Sequence, residues 1–168
     1  MKMSQVTGLG RPLDLRYPTN LAIALISLTV AGTAACIDGT PLSGLHAGLD
    51  VFFTWALCRE LDPEHDIAAF VAVGLSIFGL LNWGQSAAPL FWLLLAVRTL
   101  NRTTGLACTV LDSVLLLALG VTSGWGALTA FVFGADAMLP GGRKPQLLFA
   151  ALAAAGAAWR PFPHLRQG

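Results

Sequence analysis

Four ionisable side chains interrupt otherwise apolar stretches of this sequence: His46, Asp50, Asp112 and Asp136. An ionisable group inside a lipid-facing helix costs at least ~2.5–3.5 kcal/mol on insertion scales, so such residues face an interior, water or a partner. Ser43, His46, Asp50 and Thr54 recur at spacings of three and four, which places them on one helical face. Asp112 stands about two turns into its own apolar run, beside Ser113 and near Cys108 and Thr109, and Asp136 lies close to the end of the next run. The chemistry on offer is a polar path or proton site made by His46, Asp50 and Asp112. The plainer use of the same groups is hydrogen bonding between helices.

A second group is contiguous. Residues Cys58 to Asp66 read Cys-Arg-Glu-Leu-Asp-Pro-Glu-His-Asp, the densest charge in a chain with only 11% charged residues. Glu60, Asp62, His65 and Asp66, with Glu64, supply the oxygens and imidazole that a divalent cation would take. The stretch lacks the alternating ligands and central glycine of an EF-hand loop, and it carries no H-E-x-x-H zinc pair. Its plainer reading is a solvated turn in which Asp62-Pro63 ends one helix and precedes the next. Arg98 and Arg102, four apart, are neighbours if their helix continues through Asn101, and two guanidinium forks can hold a phosphate or anchor to anionic lipid. If these arginines meet Arg59, Glu60, Asp62, His65 and Asp66, the pattern suits an enzyme acting on a phosphorylated lipid headgroup.

Other chemistry is absent. The chain has no G-x-S-x-G elbow, P-loop or dinucleotide glycine fingerprint, and neither the aspartate pattern of CDP-alcohol phosphotransferases nor the arginine–histidine motifs of membrane phosphatases. Cys36, Cys58 and Cys108 match neither a redox pair nor a zinc spacing.

The elements that must position these residues are hydrophobic helices. With 55% hydrophobic residues among 168 and a mean hydropathy of +0.69, the composition predicts an all-α, polytopic helical membrane protein. About six to seven transmembrane helices are expected in one compact bundle at residues 19–159, between an amino-terminal arm at 1–18 and a tail at 160–168. The expected spans are Leu21 to Cys36 capped by Thr19 or Asn20, Leu42 to Glu60, Ile67 to Trp83, a short span from Pro89 to Leu100, one ending at Val121, one ending at Leu139, and Gln146 to Trp159. A cleaved signal ending near Cys36 is the alternative for the first. Gly44/Gly48 and Ala130/Gly134 are small-residue spacings that permit close helix contacts and would suit an assembly subunit.

Orientation follows from the basic residues. Counting along the expected spans, eight of the ten lysines and arginines fall on one side, and the turns at Asp38, Gln85 and Ser123 carry none. That distribution predicts a cytoplasmic amino terminus in the cytoplasmic membrane of a bacterium or archaeon. Trp83, Trp92, Trp125 and Trp159 are expected at the outer boundary. The implied partners are the lipid bilayer, a small-molecule or lipid ligand, and a second copy or another membrane protein. A net charge of +1, with few lysines and arginines and no groove-sized basic surface, gives no argument for a nucleic acid, and none is expected as a partner.

Overall fold

The computed structural model describes residues 13–83, 87–101, 108–139 and 144–159. Among them are seven helices and no strand: α1 (Pro18–Asp38), α2 (Pro41–Leu61), α3 (Asp66–Trp83), α4 (Ala87–Asn101), α5 (Val110–Thr122), α6 (Gly126–Met138) and α7 (Gln146–Trp159). By their contacts the described residues gather into two compact units, one within 13–94 and one within 95–159; α4 crosses the division.

Local chemistry sets the helix ends. Pro18 and Pro41 open α1 and α2, where the missing N–H needs no partner and the fixed φ suits a helix. The expected cap at Thr19 or Asn20 does not form, because α1 starts one turn earlier with Tyr17 at the N-cap; the Asn20 amide instead donates to the Asp14 carbonyl at 2.9 Å. Gly39 ends α1 at φ 68, a left-handed conformation that a side chain would strain. Thr40 caps α2 by accepting from the Ser43 N–H. At α5 the cap is reciprocal. The Thr109 hydroxyl accepts from the Asp112 N–H, and the Asp112 carboxylate accepts from the Thr109 N–H at 2.9 Å. Gly124, at φ 82, turns the chain into α6.

In the first unit, α2 packs on α1 through its glycines. A Cβ at Gly44 would collide with the Ala31 carbonyl oxygen and lie 2.7 Å from the Ala35 Cβ, and one at Gly48 would lie 2.9 Å from the Ser27 carbonyl oxygen. The small residues therefore let two backbones touch. On its other side α2 meets α3, with the Thr54 and Ser76 hydroxyls 3.3 Å apart, and Phe53 stacks on Phe91 of α4 at 4.8 Å. Ile23 and Val51 form the fully buried centre.

In the second unit the closest pair is α6 and α7. A Cβ at Gly126 would lie 2.9 Å from the Ala153 carbonyl oxygen, and Phe133, fully buried, faces Phe149 at 5.5 Å. The Gly156 position of α7 is closed by Val121 at the end of α5.

Length separates the helices. α1 is the one described helix long and apolar enough to cross a membrane by length and composition, and its place near the amino terminus suits a signal sequence equally. α5 and α6 have 13 residues each, about 20 Å, against ~30 Å of hydrocarbon in a bilayer. Of the tryptophans expected at the outer boundary, Trp92 is buried and Trp125 half-buried against the protein, while Trp83 and Trp159 fall outside the described side chains.

Candidate functional site

The second unit holds a polar core. Thr99, Cys108, Asp112, Ser113, Thr129, Asp136 and Gln146 are all at least nine-tenths buried. Ser113, at the start of α5, joins several of them. Its hydroxyl donates to the Thr109 carbonyl at 2.9 Å and accepts from the Gln146 amide of α7 at 3.0 Å. A hydroxyl has one proton and two lone pairs, so both bonds can form at once and leave room for the Cys108 thiol, whose sulfur lies 3.5 Å away. The thiol also meets the Thr99 hydroxyl and stands within electrostatic range of Asp112 and Asp136.

Asp112 is placed differently from the expectation. It sits at the third position of α5, not two turns inside a span, because Thr109 starts the helix. One carboxylate oxygen takes the Thr109 N–H and the Thr109 hydroxyl, each at 2.9 Å. Two donors on one oxygen anchor that acid at the start of the helix. Asp136 lies in the last turn of α6, close to the helix end as expected, and is 4% exposed; Thr129 on the same helix is fully buried.

In the first unit Asp50 and His46 part company. Asp50 is buried and His46, one turn nearer the start of α2, is exposed. An i,i+4 offset aligns directions along a helix but does not give both positions the same cover. The buried polar groups of this unit also include Glu60, Ser27 and the Trp55 indole; the Ser27 hydroxyl and Trp55 N–H have no hydrogen-bond partner among the described residues.

The charged stretch after α2 satisfies itself. Arg59 pairs with Asp66 and donates to the Pro63 carbonyl at 3.0 Å, tying the end of α2 to the start of α3. Asp62, the C-cap of α2, receives the His65 imidazole at 3.0 Å. That hydrogen bond, aided by the His65 charge, holds the Asp62 carboxyl below the usual aspartate range although the group lies at the surface. Glu60 turns inward and Glu64 outward. Among the described residues no three His, Cys, Asp or Glu side chains converge as metal ligands. Arg98 belongs to the second unit, and Arg102 lies outside the described residues.

Thr99, Thr129 and Gln146 are members of the polar core that the sequence reading did not single out. Gln146 carried one signal, as the polar opening residue of the most alanine-rich helix. Comparison of the chain with protein-family models, with curated proteins and with solved structures finds no match.

Proposed function

We propose that this chain is a multi-pass integral membrane protein whose helices enclose buried acids, and that the Asp112–Asp136 core binds or passes a proton or a small polar solute. The observation that carries this reading is an inversion of polarity. Asp50, Glu60, Asp112 and Asp136 are buried, while Leu28, Ile37, Ile67, Leu75, Phe131 and Met138 are at least two-thirds exposed. On α3 the exposed residues Ile67, Val71, Leu75, Phe78 and Leu81 recur every three or four positions as one stripe, with Ala69 and Val73 buried opposite. In water this arrangement is unfavourable on both counts, since apolar area costs ~25 cal/mol per Å² to expose and acids cost free energy to bury. Lipid reverses the first term, and a polar function accounts for retaining the second. Short helices are accommodated by bilayer thinning or by snorkelling of flanking side chains.

A proton or a small hydrogen-bonding solute suits the core, which combines two acids with hydroxyl, thiol and amide groups able to donate or accept. The test is flux in proteoliposomes of the full chain. Asp136→Asn lowers the rate at least ten-fold, whereas Thr109→Ala, which removes the cap without removing an acid, lowers stability but keeps the rate per folded molecule. Wild-type flux in both Asp136→Asn and Asp112→Asn refutes the reading. The expected cytoplasmic amino terminus is tested by thiol labelling, with Cys36 accessible from outside and Cys58 from inside.

A further inference from the structure

The first unit contains a groove of about 320 Å³ where α1 and α3 diverge over α2, a volume at the small end of the ~300–1,000 Å³ typical of ligand pockets. Three rows line it: Thr29, Thr33 and Ile37 with their neighbours on α1, Ala47 at the floor on α2, and Ile77 with Leu80 and Leu81 on α3. The groove exists because α1 and α3 each pack on α2 more than on one another, and Ala47 is too small to fill the space between them. Asp38 closes one end.

The polar atoms of this groove share one property: they accept. The Thr29 hydroxyl gives its proton to the Leu25 carbonyl at 2.8 Å, and the Thr33 hydroxyl gives its proton to the Thr29 carbonyl at 2.9 Å. Asp38 accepts from the Ser43 hydroxyl and has no ion-pair partner among the described residues. It is the last residue of α1, where the helix dipole adds negative potential. The lining thus offers hydrocarbon along its length, lone pairs at intervals and net negative charge at the Asp38 end, with no proton donor for an anion or a carbonyl.

We propose that this groove binds an alkylammonium amphiphile, with a single hydrocarbon chain along the α1 and α3 walls and a protonated primary amine at Asp38. The run from Thr29 to Asp38 follows α1 for about 13 Å, long enough for a medium-length alkyl chain. A primary ammonium brings three donors and one positive charge to a site that supplies only acceptors and one negative charge. The proposal stands apart from the Asp112–Asp136 reading, since it concerns the other unit, so either can fail alone.

The test is equilibrium dialysis of radiolabelled decylammonium against the full chain in uncharged maltoside micelles, with empty micelles as the blank. Wild-type protein binds saturably at about one site, and decyl sulfate of the same chain length does not. Asp38→Asn keeps the Ser43 hydrogen bond but removes the charge; for an exposed pair the expected weakening is about five-fold, and it shrinks at high salt. Thr33→Trp or Ile37→Trp, each at an exposed wall position, blocks the groove and abolishes saturable binding at unchanged helical content. Decyl sulfate binding as tightly as decylammonium overturns the proposal, as does wild-type affinity in Asp38→Asn or in a well-folded tryptophan variant.

Discussion

Replacing Gly44 by alanine tests the α1–α2 contact on which the first unit is built. Two effects oppose each other. Alanine in a helix interior is favoured over glycine by ~0.5–1 kcal/mol, because less backbone entropy is lost on folding. Gly32 on α1 has nothing within 4 Å of an added Cβ, so Gly32→Ala reports that gain alone. At Gly44 the new carbon would overlap the Ala31 carbonyl oxygen and sit 2.7 Å from the Ala35 Cβ and 3.2 Å from the Ala35 nitrogen. Main-chain atoms and a Cβ cannot rotate away, so α1 and α2 must move apart. Overpacking of this kind costs ~1–3 kcal/mol, which leaves a net loss of up to about 2.5 kcal/mol, centred near 1, after the helical gain. For a chain of this size, each kcal/mol lowers the melting temperature by roughly 2–4 °C. Thermal or denaturant unfolding in detergent, followed by circular dichroism, should therefore rank the proteins Gly32→Ala, wild type, Gly44→Ala from most to least stable. Adding Ala35→Gly to Gly44→Ala should restore only part of the loss, since the Ala31 carbonyl still obstructs. A Gly44→Ala protein as stable as Gly32→Ala would mean that the two backbones do not approach this closely.

Two further outcomes follow from the polar groups. Ser113→Ala and Gln146→Leu each leave a buried partner without its hydrogen bond and should each cost ~1–3 kcal/mol, whereas the double variant should cost less than their sum by ~0.5 kcal/mol or more; strict additivity in unfolding titrations would separate Gln146 from Ser113. The lowered pKa of Asp62 means that its bond to His65 contributes fully above the ordinary aspartate value of 3.8 and fades as pH falls below it. Asp62→Asn should accordingly flatten the acid side of the stability profile of the α2–α3 turn, read by proteolysis at that turn; an unchanged acid limb would show that the pair adds nothing.

Helix positions were legible because proline, glycine and charge punctuate a strongly apolar chain. The seventh helix runs from Gln146 to Trp159 as expected, and α2 and α3 begin and end within a residue of the expected spans. The start of α5 was missed: Thr109-Val-Leu-Asp112 is a capping-box pattern that resets the helix and changes Asp112 from a mid-span acid into an anchored one. His46 shows where periodicity stops being informative. Its spacing from Asp50 fixes an angle about the helix axis, but cover depends on which neighbours reach that height, and sequence spacing does not contain them. Arg59 illustrates the same gap, since its pairing with Asp66 needs the exact path of the intervening turn.

The side-chain sizes in the two units connect packing to chemistry. Where α1 meets α2 and where α6 meets α7, the closest approaches are glycine and alanine against backbone carbonyls, with Phe133 and Phe149 packed further along the α6–α7 seam, while leucines such as Leu28, Leu75 and Leu148 are left outside. Helices held this way gain from dispersion and close approach, which persist in lipid, more than from removing apolar area from water, which does not. Small contacts leave little room to absorb a misplaced polar group, so a buried acid survives only where hydroxyls, amides or caps hold it. Thr109 does this for Asp112. Hence the interior acids and the small-residue seams belong to one design: loosening a seam in the second unit, as by Gly126→Ala, should disturb the polar core of that unit as well as its stability, and the Cys108 thiol, buried beside Ser113, should then react faster with a maleimide. Unchanged labelling in a destabilised Gly126→Ala protein would uncouple the seam from the core.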